Sequence, residues 1–191
     1  MFISNELRKT NIAEYLLYMW QVEDMLRACD CSLARVRREI VERYDCGDEQ
    51  KEELSDWYGS LIRMMNAEGC RASGHLQMNE STMAELERLG ASLLSRDDRP
   101  LYRAQYYRAL PYIVELRRKA KTAHAAQPPT KKEKPEEKEI ETCLNALYGT
   151  MLLRLQHKEI NPETQHAIDE ITTLVGMLAD EYNGLRKAQN E

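Results

Sequence analysis

The chain has no long hydrophobic run. Its longest, Tyr15 to Trp20, falls far short of the roughly 20 residues a membrane span needs. Its amino terminus, MFISNELRKTN, lacks the basic region followed by an apolar run that marks a secretory leader, so no signal peptide is expected. Period-2 runs of β-branched residues are scarce, which argues against a sheet. There is no GxSxG, no Walker loop and no glycine pattern of a nucleotide-binding fold. An excess of positive charge is also missing: the net charge is −5, which argues against nonspecific nucleic-acid binding by the whole surface. The five cysteines, Cys29, Cys31, Cys46, Cys70 and Cys143, are odd in number and scattered. That suits a reduced cytosol better than a disulfide framework, and the expected compartment is the cytoplasm.

What the chain does contain is helical periodicity. Asn11 to Arg27, NIAEYLLYMWQVEDMLR, places Ile12, Tyr15, Leu16, Met19, Val22 and Leu26 on one broad apolar face, with Trp20 at its edge. Leu7, Leu17 and Met25 form a second apolar strip opposite, so this helix is expected to be covered on two sides. It should start at Ser4 or Asn5 and run to Cys29. A second helix is expected from Leu33 to Tyr44. A third runs to about Glu68 with the stripe Leu54, Trp57, Tyr58, Leu61, Ile62 and Met65, closed by Gly69. A fourth covers His75 to Leu94, and Ser73-Gly74-His75 reads as its entry. A fifth opens at Pro100 and reaches Lys121, with a kink at Pro111.

Thr122 to Lys138 has a different composition, rich in proline, lysine and glutamate and without a large apolar residue, as a mobile linker would be. The sixth helix, EIETCLNALYGTMLLRL, follows it. Asn161-Pro162-Glu163 then opens a seventh with the stripe Ile168, Ile171, Val175, Leu178 and Tyr182. The expected fold is all-α, with about seven helices: a five-helix body at 1–121, a linker at 122–138, and a C-terminal hairpin at 139–191 packed on the body. The two most apolar segments, Glu139–Leu155 and Asn11–Leu26, are expected to pack together within one chain.

Two stretches, NIAEYLLYMWQVED at Asn11–Asp24 and EIETCLNALYGTMLLRL at Glu139–Leu155, resemble the signature segments of a bacterial, all-helical domain-of-unknown-function family of about this length. The Ala109-Leu110-Pro111 region and the variable charged linker are similar to that family too. The resemblance implies the fold over nearly the whole chain and carries over no activity, cofactor or site.

Residues able to do chemistry are few. Cys29-x-Cys31 has no second pair to complete a zinc site, and His157 and His166 lie far from any repeat of that spacing. Neither a metal nor a cofactor is expected, and no catalytic residue is assigned. Cys143, on an apolar stripe, reads as a buried thiol. Glu23 falls within the main apolar face of its helix, where an unpaired charge is rare. Arg27 is its local partner one turn on, and Arg154, near the apolar face of the sixth helix, is a candidate partner across a helix contact. With Asn145 they form a candidate polar cluster: Glu23, Arg27, Asn145 and Arg154. Gly149, inside the sixth helix, is expected at a close helix crossing.

The fifth helix is the charge anomaly. From Arg99 to Lys121 it carries seven basic residues against Glu115 alone. Arg103, Tyr107, Val114 and Arg118 fall together on one side, and Arg103, Tyr107, Arg118 and Lys121 are a candidate basic surface. The leading reading is a non-catalytic helical interaction or assembly protein with a protein partner or self-association. The alternatives are a small-ligand binder or enzyme with a polar pocket near Glu23, Arg27 and Arg154, and a nucleic-acid accessory protein using the fifth helix. A pocket beside Glu23 or Arg154 would favour the first alternative.

Overall fold

The structure, a computed structural model, describes residues 2–125 and 138–190. These form eight α-helices, with no strand among the described residues. They are α1 (Phe2–Thr10), α2 (Ile12–Ala28), α3 (Leu33–Glu39), α4 (Asp48–Ala67), α5 (Gln77–Ser95), α6 (Pro100–Ala125), α7 (Glu139–Leu155) and α8 (Pro162–Asn190), plus a 3₁₀ turn at Val41–Arg43. The chain divides into two compact units, Met1–Thr82 and Met83–Glu191, and the division falls inside α5.

In the first unit, the single helix expected from Ser4 to Cys29 is two helices. Asn11 takes extended angles (φ −151°, ψ 100°) and caps α2: its side-chain oxygen accepts from the Ala13 and Glu14 N–H groups at 3.1 and 3.3 Å. Asparagine competes with helical backbone in this way, so a polar residue that looks like part of a solvated face becomes a boundary. The apolar face of α2 is buried as expected, Trp20 included, and the opposite strip of Leu7, Leu17 and Met25 is half-buried. The second expected helix is shorter, ending at Glu39, and of its apolar residues Leu33, Val36, Ile40, Val41 and Tyr44 only Val36 and Val41 are fully buried. Gly59 of α4 has a clear reason. A Cβ there would sit 3.3 Å from Leu33 Cδ2, so the glycine lets α3 and α4 pack closely.

In the second unit, α6 packs on α7 and α8, and α7 packs on α8. The α8 stripe of Ile168, Ile171, Val175, Leu178 and Tyr182 is buried, as are Ile113 of α6 and Cys143 and Leu144 of α7. Within its unit α7 lies against α6 and α8, and its first turn also meets α5, where the Glu141 N–H donates to Glu87 Oε1 at 3.0 Å; the Asn11–Leu26 segment expected to receive it belongs to the first unit. Helix α6 runs unbroken through Pro111 and continues to Ala125, four residues into the expected linker. The linker's remainder, 126–137, lies outside the described residues.

Among the described residues no close crossing is found at Gly149: a Cβ there, or at Gly176 in α8, would meet none of their atoms within 4 Å. Glycine inside a helix costs about 1 kcal/mol relative to alanine. Gly149→Ala and Gly176→Ala should therefore each raise unfolding stability by up to about 1 kcal/mol in chemical denaturation. A loss at either site would show that the side chain meets something there.

Buried tyrosines give the fold an alkaline limit. Burial pushes the Tyr106 phenol up to about 12, helped by its hydrogen bond to Glu139 Oε2 at 2.9 Å. Burial also raises Tyr58 and Tyr102. In the unfolded chain tyrosine ionises near pH 10, so above that pH the unfolded state binds fewer protons than the folded one. Stability is thus intact below about pH 10 and should fall as pH rises toward about 12, less steeply in Tyr106→Phe. A denaturation midpoint flat across that window would contradict this.

Candidate functional site

The carboxylate of Glu23 is the most deeply placed charged group of the first unit, with 0% exposure. Its position follows from the helical repeat, which sets it between Val22 and Leu26 on the buried face of α2. A carboxylate there must find donors inside the protein. It finds them where α5 begins. Oε1 accepts the Leu76 N–H at 2.9 Å and Asn79 Nδ2 at 2.7 Å, and Oε2 lies 2.7 Å from His75 Nδ1. The start of a helix is rich in unpaired N–H groups and carries partial positive charge, so it suits an anion. Glu68 acts similarly, its Oε2 accepting the Gln77 N–H at 2.7 Å.

Arg27 completes the arrangement from one turn further along α2. Its guanidinium lies 3.9 Å from Glu23 Oε2 and donates to Asp24 Oδ1 at 2.8 Å. It also donates to the carbonyl of Cys70 at 3.1 Å and to that of Gly74. Gly74 has φ +86°, a backbone setting that glycine adopts at little cost. The loop 70–76 is thus held at both ends by adjacent turns of α2. His75 stacks on the Trp20 ring, with centroids 4.4 Å apart and planes at 17°, and its side chain is 26% exposed. With Glu23 as acceptor, a neutral His75 carries its proton on Nδ1 and leaves Nε2 as an acceptor.

A carboxylate–imidazole pair is the orienting part of a general base, and a nucleophile is the other requirement. The thiol of Cys70 is buried and its pKa is pushed up, first by burial and then by Glu23 and Glu68. Cys29 is raised by burial and by Glu39. Both shifts favour the thiol over the nucleophilic thiolate. Among the described residues no cluster of three or more His, Cys, Asp or Glu is arranged to hold a metal ion. The geometry best matches a polar lock that fastens a loop and a helix start to α2.

Of the expected polar cluster, the structure brings Glu23 and Arg27 together. Arg154 is exposed at the end of α7 and donates to Gln165 Oε1 at 3.1 Å, and Asn145 is exposed on the same helix. Glu23 and Arg154 each have partners within their own unit. Helical periodicity does not point to His75 or Asn79, and Ser73-Gly74-His75 reads in sequence only as a helix entry. The available signal was that a buried carboxylate needs several donors and that a helix start supplies them. The groove at the ends of α6 and α8, lined by Arg99, Asp180, Glu181 and Leu185 among others, contains none of the expected cluster.

The candidate basic surface is laid out along α6. Tyr107 is 62% exposed, and Arg118 and Lys121 are exposed. Arg103 is half-buried and donates to the Arg96 carbonyl at 2.7 Å and to Asp97 Oδ1 at 3.3 Å. Arg118 grips Glu115 through two hydrogen bonds of 2.9 Å, and Lys119 lies 3.4 Å from the same carboxylate. The Arg118 hydrogen bonds pull the Glu115 carboxyl down to about 2.

No helix of the described residues is long and apolar enough to cross a membrane. No curated protein and no solved structure matches the chain. Residues 1–189 match the family described as Domain of unknown function (DUF4924), and the chain belongs to that family.

Proposed function

We propose that this chain is a non-catalytic interaction or assembly module of the bacterial cytoplasm and that its working surface is the outer face of α6. One observation carries the reading. Ala104, Tyr107, Pro111 and Val114 follow one another at 3-4-3 spacing and all four are exposed, Tyr107 at 62% and Val114 at 56%. Isolated apolar residues on a surface need no explanation. A row with this spacing is different, because it is the seam along which one helix receives another. The opposite face of α6 is already occupied, since Tyr102, Ala109 and Ile113 are buried. The odd number and the scatter of the five cysteines support a reducing compartment. The Glu23 carboxylate is taken up by the Leu76 N–H, Asn79 Nδ2 and His75 Nδ1, and burial raises the Cys70 and Cys29 thiols, which supports binding over catalysis.

A photo-crosslinking amino acid placed at Val114 in the producing cell tests the reading. Discrete adducts are expected at Val114 and not at Thr173, an exposed control position on α8. Equal labelling at both positions, or none, would reject the α6 surface. Sedimentation of the purified chain separates a foreign partner from self-association.

A further inference from the structure

We infer that the occupant of the α6 seam is an amphipathic helix with acidic flanks, and neither a second copy of this chain nor a nucleic acid. The inference rests on the α6 reading above and adds the chemistry of the partner. The seam that begins Ala104, Tyr107, Pro111, Val114 continues at the same spacing into Arg118 and Lys121, both exposed. The positions bordering it hold Arg103, Arg108 and Arg117, with Glu115 as their acidic counterpart. An apolar row with basic borders is complemented by an apolar row with acidic borders.

Polarity along α6 also orients the partner. The apolar part of the seam lies toward the N-terminal half, and the cations gather near its C-terminal end at Arg117, Arg118, Lys119 and Lys121. An antiparallel partner would bring its own first turn beside that end. Carboxylates are favoured in a first turn by the helix dipole, so antiparallel docking lets one set of acidic residues satisfy both helices.

A second copy meets an obstacle. Two α6 seams facing each other, parallel or antiparallel, set basic borders against basic borders, an arrangement that works against pairing. Nucleic acid fits less well for a different reason. The seam from Ala104 to Val114 is apolar, whereas a groove that tracks a phosphate backbone is lined by cations along its length.

The test uses the full chain and two fluorescein-labelled helical peptides of roughly 21 residues, about 30 Å long. Both carry leucine at 3-4 spacing. One has glutamate at every bordering position and the other has lysine. Fluorescence anisotropy should show saturable binding of the glutamate peptide at low salt, and binding of the lysine peptide at least ~10-fold weaker. Arg108→Glu with Arg117→Glu should reverse that preference. Tyr107→Asp and Val114→Asp, both on an exposed face and checked for retained helicity, should abolish binding. Equal affinity for both peptides, lost in Tyr107→Asp, would overturn the acidic partner while leaving the seam a docking surface. Binding indifferent to Tyr107→Asp and Val114→Asp would overturn the seam itself. A uridine oligonucleotide that binds where the glutamate peptide does not would overturn the inference in favour of nucleic acid.

Discussion

Glu23→Ala is expected to destabilise the first unit by about 3–5 kcal/mol, the usual cost of removing one member of a buried, hydrogen-bonded charge arrangement. The loss comes from what is left behind. Leu76 N–H and Asn79 Nδ2 lose their acceptor, His75 Nδ1 loses its partner, and the guanidinium of Arg27 loses the nearest buried carboxylate. Each stranded buried donor costs about 1–3 kcal/mol, and partial collapse and water entry keep the sum below three full penalties. Glu23→Gln keeps one side-chain carbonyl in place and should cost only about 1–2 kcal/mol. Both tryptophans of the chain, Trp20 and Trp57, lie within residues 1–82, so tryptophan fluorescence during urea unfolding reports this unit. Replacing Glu23 and Asn79 together by leucine should cost less than the two single changes summed, by about 0.5–3 kcal/mol. Strict additivity would show that the two side chains do not work as a unit.

Glu23 also shows what the sequence could and could not reveal. Its place on an apolar helical face identified it as a carboxylate in need of a partner. The partners themselves are 52 to 56 residues away, in a loop and the first turn of another helix. Periodicity describes one helix at a time and says nothing about which distant loop closes over it. Arg154 lies near the apolar face of its helix by helical periodicity. The last turn of α7 is not covered, however: Leu153 is 37% and Leu155 60% exposed, so face and burial part company there. Helix starts marked by a proline just inside the first turn were legible, as at Pro100 and Pro162. Asn11 was not, because the apolar repeat runs past it; its extended backbone angles and the Ala13 and Glu14 N–H groups that its side chain accepts show it to be a cap. On α6, the grouping of Tyr107, Val114, Arg103 and Arg118 was visible as a pattern. That this face stays open while Tyr102 and Ile113 are covered depends on where α7 and α8 lie, which no local pattern encodes.

Gly90→Val is expected to destabilise the second unit by about 2–3 kcal/mol, near the upper end of the usual cost of overfilling a packed core. Gly90 is buried in α5, and a Cβ added there would stand 3.0 Å from Tyr102 Oη and 3.7 Å from two carbons of Ile140. The first distance is too short for a carbon–oxygen contact, and Tyr102 is only 2% exposed, so its ring has little room to withdraw. Valine adds two further carbons in the same space. Its better helix propensity than glycine returns only a few tenths of a kcal/mol, so the steric loss decides the sign. Gly149→Val supplies the control, since a Cβ at Gly149 meets nothing within 4 Å; its effect should stay within about 0.5 kcal/mol. Removing the offending atom should also help. In a Tyr102→Phe background the hydroxyl is gone, and Gly90→Ala should cost less than it does beside the native tyrosine. Unfolding followed by far-ultraviolet circular dichroism measures all of these. Equal effects of valine at positions 90 and 149 would mean that the close approach of Tyr102 and Ile140 does not constrain Gly90.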